Sequence, residues 1–289
     1  MQVIALGFFD GVHAGHGALL RAARKMADGA GCEAAAMTFD THPSALLGEA
    51  VPLLGTADDR RLLMTRLYGI DRMQTLRFDR AMMETPWRDF AAAYLTGAAG
   101  VVCGYDYRFG RRGEGTPELL SDFCAEGGIR CEVIPAVRFD GEVISSTRVR
   151  ELLAAGDCRR AVQMLGHPHL ISGTVAQGRH FGRTIGIPTA NLPIDTGLAV
   201  PAHGVYAAKA ELAEGEFTAV VNVGTHPTVG STAAPQAEAW LPDYSGDLYG
   251  KPLRLWLYDR LREERKFPSA DALRAQILRD GEQVRAFFG

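Results

Sequence analysis

Nowhere in the 289 residues does an apolar run approach the length needed to cross a bilayer, so no spanning helix is expected. The opening residues, MQVIALGFFDGVHAGH, place no basic segment ahead of the apolar one and bring in Asp10 early. A secretory signal does not read that way. Cysteine is scarce: Cys32, Cys103, Cys124, Cys131 and Cys158, five in all, with no CxxC pair. An odd, scattered set argues against a disulfide framework and favours free thiols in a reducing cytoplasm, with a metal cluster or thiol nucleophile as the alternatives. Neither sign of charge dominates, since 31 basic residues face 34 acidic ones for a net charge of −3. The strong basic excess that marks a nucleic-acid or lipid-surface binder is missing. The partners expected are therefore small molecules, with no nucleic acid and no membrane. There is no internal repeat and no low-complexity tract. What remains is ordinary globular composition, 47% hydrophobic and 22% charged, enough apolar material for two cores at about 150 residues per domain.

The first half alternates strand-like and helix-like segments. Apolar runs at 3–9, 32–39, 100–104 and 129–135 read as strands. Stretches at 16–26, 58–68 and 85–95 read as helices, the last opened by Thr85 as cap and Pro86 at the first helical position. This rhythm predicts a doubly wound α/β domain with a parallel sheet, whose ligands sit at the carboxyl ends of the strands. Two further helices are expected from Ser145 to Leu153 and from Asp157, as cap, to Leu165. Gly166-His167-Pro168-His169 then breaks the pattern. The domain boundary is placed there, giving domains 1–167 and 168–289. Beyond it, short segments at 204–212, 217–223, 238–241 and 253–257 are punctuated by glycine and proline, which predicts a small antiparallel barrel or sandwich. A terminal helix capped by Ser269 closes the chain.

GFFDGVHAGH sets Gly7, Asp10, Gly11, His13, Gly15 and His16 between the first strand and the first helix. Glycines admit close backbone approach, and a helix start offers unpaired N–H groups to phosphate. Two histidines three apart can donate to one phosphate as charge builds on it. On the residues alone, two turn histidines and a metal site are the alternatives, the latter without a third ligand at suitable spacing. The motif resembles the HxGH signature of the nucleotidyltransferase superfamily. With TFDTHP at 38–43, GYDYRFG at 104–110 and ISSTRVRELLAAGD at 144–157, the first half resembles the FMN adenylyltransferase module of bacterial bifunctional riboflavin kinase/FAD synthetases. That resemblance implies a Rossmann-like fold that binds ATP and flavin through Gly7, Phe8, Asp10, Gly11, His42, Asp106, Arg108, Ser146, Thr147 and Arg148, with His13 and His16 catalytic.

GTVAQGRHFGRTIGIPTANL, residues 173–192, is neither a Walker P-loop nor a Rossmann GxGxxG, because it lacks GK[ST] and the glycine spacing differs. It reads as a basic, glycine-rich flap able to wrap an anion, with Gly178, Arg179, His180, Gly182, Arg183 and Gly186. Thr189 and Asn191 after Pro188 offer oxygen ligands suited to a hard cation held jointly with phosphates. The run resembles the riboflavin kinase signature GxxxGRxxGxPTAN. GVYA at 204–207, NVGTHPT at 222–228, DLYG at 247–250 and LREERKFPS at 261–269 follow in that family's order. The resemblance implies a six-stranded antiparallel barrel with a terminal helix. It also implies ATP and flavin bound by Gly178, Gly182, Arg183, Pro188, Thr189, Asn191 and Arg262, Mg²⁺ on Thr189 and Asn191, and Glu238 as the base. Departures fall at Trp240, Pro242 and His167. The first two bear on the shape of the flavin pocket, the third on packing at the domain junction.

The expected reaction sequence is riboflavin and ATP to FMN and ADP, then FMN and ATP to FAD and pyrophosphate. Two other readings are carried. One is a monofunctional kinase with a non-flavin nucleotidyltransferase module; the other is a flavin-binding storage or regulatory protein without turnover.

Overall fold

The computed structural model describes residues 1–49, 51–178, 181–226 and 234–289, apart from the side chains of Phe181, Arg183 and His226. The chain forms two compact units, Met1–Ser146 and Thr147–Gly289.

The first unit is built on five parallel strands in the order β3-β2-β1-β4-β5. They are β1 (Gln2–Leu6), β2 (Glu33–Phe39), β3 (Arg72–Leu76), β4 (Gly100–Gly104) and β5 (Arg130–Ile134). The helices are α1 (Ala14–Ala30), α2 (Ala57–Tyr68), α3 (Arg80–Met83), α4 (Trp87–Leu95) and α5 (Pro117–Glu126). Val3 to Leu6, Ala34 to Met37 and Val101 to Cys103 are buried without alternation, the pattern of strands covered on both faces. The chain reverses direction across the sheet beside β1, between β2 and β4. That switch point is where open α/β sheets bind ligands, and the HxGH turn leaves the carboxyl end of β1. A short hairpin, β6 (Arg138–Phe139) with β7 (Glu142–Val143), precedes the end of the unit.

One predicted cap is displaced. Thr85 does not cap α4: Pro86 holds that position, and the Thr85 hydroxyl donates 2.8 Å back to Ala81 O. Proline fixes φ for the turn and its missing N–H costs nothing there. The edge strand β3 and the helix α5 went unpredicted. RMQTL is half-exposed and carries no clean alternation, so its register comes from pairing with β2.

The second unit begins within α6 (Ser146–Ala155) and continues with α7 (Cys158–Leu165), where Asp157 accepts from Arg160 N at 3.1 Å as the cap. Its sheet has six antiparallel strands in the order β8-β13-β10-β11-β12-β9. They are β8 (His169–Thr174), β9 (Ala190–Pro193), β10 (Gly204–Leu212), β11 (Gly215–His226), β12 (Ala234–Trp240) and β13 (Pro252–Arg262), with a one-turn helix α8 (Phe181–Thr184) before β9. A bridge between Ala176 and Asn191 draws the two outer strands together, so the sheet is a nearly closed barrel. Small side chains, Ala207, Ala208, Ala210, Ala219, Ala237 and Ala239, are almost wholly buried, which lets a six-stranded barrel curve tightly. The terminal helix α9 (Ala270–Phe288) packs Val284 against Val205, Ala207 and Val220, with Trp240, Leu261 and Phe288 alongside. Ser269 caps it, accepting from Ala272 N at 3.2 Å.

Candidate active sites

In the first unit, β1 ends at Leu6 and the backbone turns through Phe9 (φ 59°), Gly11 (φ 71°) and Val12 (φ 44°) before α1 starts. A left-handed φ at a β-branched residue is a true outlier and is costly. The loop is held by neighbours. Leu54 N donates to Asp10 Oδ1 at 2.8 Å, and Ser146 Oγ donates to Asp10 O at 2.9 Å. Asp10 is buried, so its carboxylate serves the loop geometry.

His13 caps α1, its Nδ1 accepting from His16 N at 3.2 Å. That bond settles the tautomer of the neutral ring: the proton sits on Nε2, which becomes the donor. The two imidazoles stack at 3.6 Å with 13° between planes. Burial, the adjacent His13 and the Arg60 guanidinium together hold His16 well below the usual histidine range. His16 is therefore neutral at pH 7. Its Nδ1 is buried and has no hydrogen-bond partner among the described residues. The arrangement is two neutral rings at a helix start, suited to hydrogen bonding with phosphate oxygens and unsuited to carrying a full positive charge.

Gly7 and Phe8 lie just before this loop. His42 meets Phe8 edge-on at 4.7 Å and caps the following short 3-10 turn, which brings TFDTHP to the same end of the sheet. Asp106 and Arg108 follow β4 and are exposed. Ser146 joins the loop through Asp10, whereas Thr147 and Arg148, the next residues of α6, belong to the second unit. There Arg150 Nη2 donates to Thr147 Oγ1 at 3.2 Å, and Arg148 pairs with Glu151 at 3.0 Å.

In the second unit the strand register builds the site. Glu238 on β12 lies directly opposite Asn191 on β9 and Asn222 on β11. Directly opposed residues share a face, so these three form a polar row. Ala237, Ala239, Val221 and Val223 alternate with them and fill the barrel interior. The row is thus on the outer face, the face on which α9 packs beside Trp240. Gln236 Nε2 donates to Glu238 Oε1 at 2.9 Å, and Asn222 Nδ2 donates to Glu264 Oε1 at 2.8 Å. Asn222 and Glu264 were not among the expected site residues. Their signal was present in NVGTHPT and LREERKFPS, but only pairing across strands shows that they meet.

One glycine of the flap presses onto this row and a second onto the segment that leads into β9. A Cβ on Gly178 would fall 2.2 Å from Asn191 Nδ2, and one on Gly182 would fall 2.2 Å from Ile187 O and 3.3 Å from Thr189 Oγ1. Only glycine permits that approach. Thr189 and Pro188 also line a cleft of about 300 Å³ with Leu241, Tyr244, Asp247 and Tyr249. The oxygens on offer are the Thr189 hydroxyl, the Asn191 amide and, in the cleft, the Asp247 carboxylate, and no group of three or more His, Cys, Asp or Glu side chains that could hold a metal occurs among the described residues. That donor set fits a hard cation shared with phosphates, and not an all-protein cage. Arg179 and His180 lie outside the described residues, as does the side chain of Arg183. Arg262 is engaged elsewhere: its guanidinium grips the buried Asp280 of α9 through Nη2 at 2.7 Å and Nε at 3.1 Å. Trp240 lies against α9, where its ring occupies the space a Cβ on Gly281 would take.

The comparisons agree with both halves. Residues 1–148 match the FAD synthetase family and residues 165–288 the riboflavin kinase family. A bifunctional riboflavin kinase/FMN adenylyltransferase from Listeria monocytogenes is 34% identical over 99% of this chain and 92% of its own. The enzyme of that name from Escherichia coli K12 is 36% identical over 99% and 93%. A crystal structure described as a macrolide-efflux protein from Streptococcus pneumoniae shares the fold, with a TM-score of 0.87 and 31% identity over 98% of this chain and 93% of that one. Among the described residues here, no helix is long and apolar enough to cross a membrane. With both modules matched in order along nearly its whole length, the chain belongs to the bifunctional riboflavin kinase/FMN adenylyltransferase family, whose members phosphorylate riboflavin to FMN and adenylylate FMN to FAD with ATP.

Proposed function

We propose that the two reactions use two separate sites, the outer face of the barrel for phosphoryl transfer and the HxGH loop for adenylyl transfer. The observation that carries this reading is the polar row Asn191, Glu238 and Asn222 on β9, β12 and β11, because a binding protein without turnover needs no carboxylate there. Glu238 accepts the proton of the ribityl 5′-hydroxyl as that oxygen attacks the γ-phosphorus of ATP, leaving ADP. Thr189 and Asn191 would hold Mg²⁺, which when bound would offset charge on the nucleotide phosphates. Gly178, Gly182, Arg183 and Pro188 form the wall of the flap against the nucleotide. Arg262 serves this site by holding α9 against the barrel.

In the other site the FMN phosphate attacks the α-phosphorus of ATP and pyrophosphate leaves. His13 donates through Nε2–H and His16 through its ring, so the barrier falls by positioning and electrostatics with no covalent enzyme intermediate. Gly7, Phe8, Asp10 and Gly11 shape the loop. His42, Asp106, Arg108, Ser146, Thr147 and Arg148 complete the binding of ATP and flavin. The functional boundary is kept at 167/168, with most of α6 and α7, residues 149–164, lying between the two family matches. Five free cysteines support a reducing compartment, the cytoplasm.

The test is chromatographic product analysis with riboflavin, ATP and Mg²⁺. The unaltered chain yields FMN and then FAD. Glu238→Gln abolishes FMN formation and leaves FMN-to-FAD conversion intact, whereas His16→Ala stalls at FMN. Loss of both activities in a folded single variant overturns the two-site assignment.

A further inference from the structure

Among the described residues Arg60 is the largest fully buried side chain, 1% exposed. It sits on α2 in register with Leu63 and Met64, on the stripe that faces the core, where an apolar residue is expected. Burying a guanidinium costs several kcal/mol unless its geometry and hydrogen bonds repay it. The bonds it makes all converge on one place. Nη1 donates to Phe8 O at 2.7 Å and to Thr38 Oγ1 at 3.2 Å, and Nη2 reaches Phe39 O at 3.5 Å. The Thr38 hydroxyl in turn donates to Phe8 O at 3.0 Å. The guanidinium lies 4.3 Å from the centre of the Phe8 ring. One side chain thus ties the loop after β1 to the end of β2.

That loop contains three consecutive-turn residues with left-handed φ, Phe9, Gly11 and Val12. Strain of that kind persists only where the surroundings over-determine it. Among its anchors are Leu54 N and Ser146 Oγ on Asp10, and Arg60 and the Thr38 hydroxyl on the Phe8 carbonyl. Arg60 alone of these also brings a positive charge, close enough to act on both Asp10 and His16.

We propose that Arg60 is a positioning residue for adenylyl transfer: its fork holds the strained loop in the shape that aims His13 and His16 at the phosphates of ATP, and its charge lies under the same loop. This rests on the roles proposed above for His13 and His16. The residue touches no reacting atom. It acts through the Phe8 carbonyl and the backbone that follows.

The experiment measures both half-reactions of the full chain carrying Arg60→Met, Arg60→Lys or His16→Ala. Arg60→Met lowers kcat for FMN adenylylation by about 100-fold, the cost of a small misplacement of catalytic groups. KM for ATP changes little and riboflavin phosphorylation is unaltered, which serves as a control in the same molecule. Arg60→Lys keeps the charge but not the fork, and recovers part of kcat. Should Arg60→Met melt the first unit, a folded Arg60→Lys decides: reduced kcat at constant KM supports the proposal, and unaltered kcat overturns it. A rise in KM without loss of kcat, or full adenylylation by Arg60→Met, also overturns it. If His16→Ala itself converts FMN to FAD normally, the reading of the site fails. If that variant stalls while Arg60→Met turns over, only the role of Arg60 falls.

Discussion

His13 carries two duties on one ring. Its Nδ1 caps α1, which leaves the remaining ring proton on Nε2. The duties separate by substitution, because asparagine is among the best helix caps but has no group at the reach of Nε2. His13→Asn is expected to melt within about 1 kcal/mol of the unaltered chain and to lose about 100-fold in FAD formation from FMN. Thermal melting and product analysis on the same preparation check both halves. A variant that forms FAD at full rate removes His13 from the chemistry. Glu238 is a simpler case. Nothing in AEAWLPDY distinguishes it from a solvent-facing strand glutamate, and its position between Asn191 and Asn222 comes from the register of three strands.

A buried ion pair helps to hold the terminal helix on the barrel. Arg262 at the end of β13 donates from Nε and Nη2 to Asp280, which is 1% exposed and also accepts from Gln276 Nε2 at 2.7 Å. Removing one partner leaves a buried carboxylate without its cation, a loss of about 3 kcal/mol. Arg262→Met should therefore lower the denaturation midpoint of the second unit and speed amide exchange in α9. Riboflavin phosphorylation should fall with it, while FMN adenylylation stays intact. Unchanged exchange in α9 together with a raised KM for ATP would return Arg262 to direct contact with nucleotide. The same element explains Trp240: its ring packs on α9 at Gly281, so this departure from the family pattern lies in the seam between helix and barrel.

Across the molecule, acid acts on both units through histidines buried in their neutral form. Burial, then the neighbouring His167, pushes His169 on β8 down to about 4. Burial, His13 and Arg60 depress His16. The unfolded chain binds these protons near pH 6.5 and the folded one does not. Stability therefore rises with pH through this window, is complete above about 6.5, and is lost as pH falls toward 4. For His169 alone the loss by pH 4 is on the order of 3 kcal/mol. Melting followed from pH 7 to pH 4 should show both transitions moving down. A second-unit transition that stays level over that range would mean His169 is not buried as a neutral ring.

The alternation of apolar runs with helical stretches, the change of rhythm beyond residue 168 and the two glycine-rich motifs were enough to read the α/β half, the β-rich half and both chemistries. Those features are local: periodicity, capping and turn chemistry act over a few residues, so they survive in one dimension. The starts of α7 and α9 follow from their caps, Asp157 and Ser269, for the same reason, whereas α1 runs from Ala14 to Ala30, past the expected 16–26 at both ends, its start set by the His13 cap. Edge strand β3 did not, because its side chains are half-exposed and its pairing partner supplies the register. Arg60 left a faint trace, a charge on the apolar stripe of α2, whose meaning appears only when Phe8, Thr38 and Phe39 converge on it. The polar row of the kinase site and the commitment of Arg262 to Asp280 needed strands and a helix brought together from positions far apart in the chain, since hydrogen bonds and buried charges are settled by distance in space.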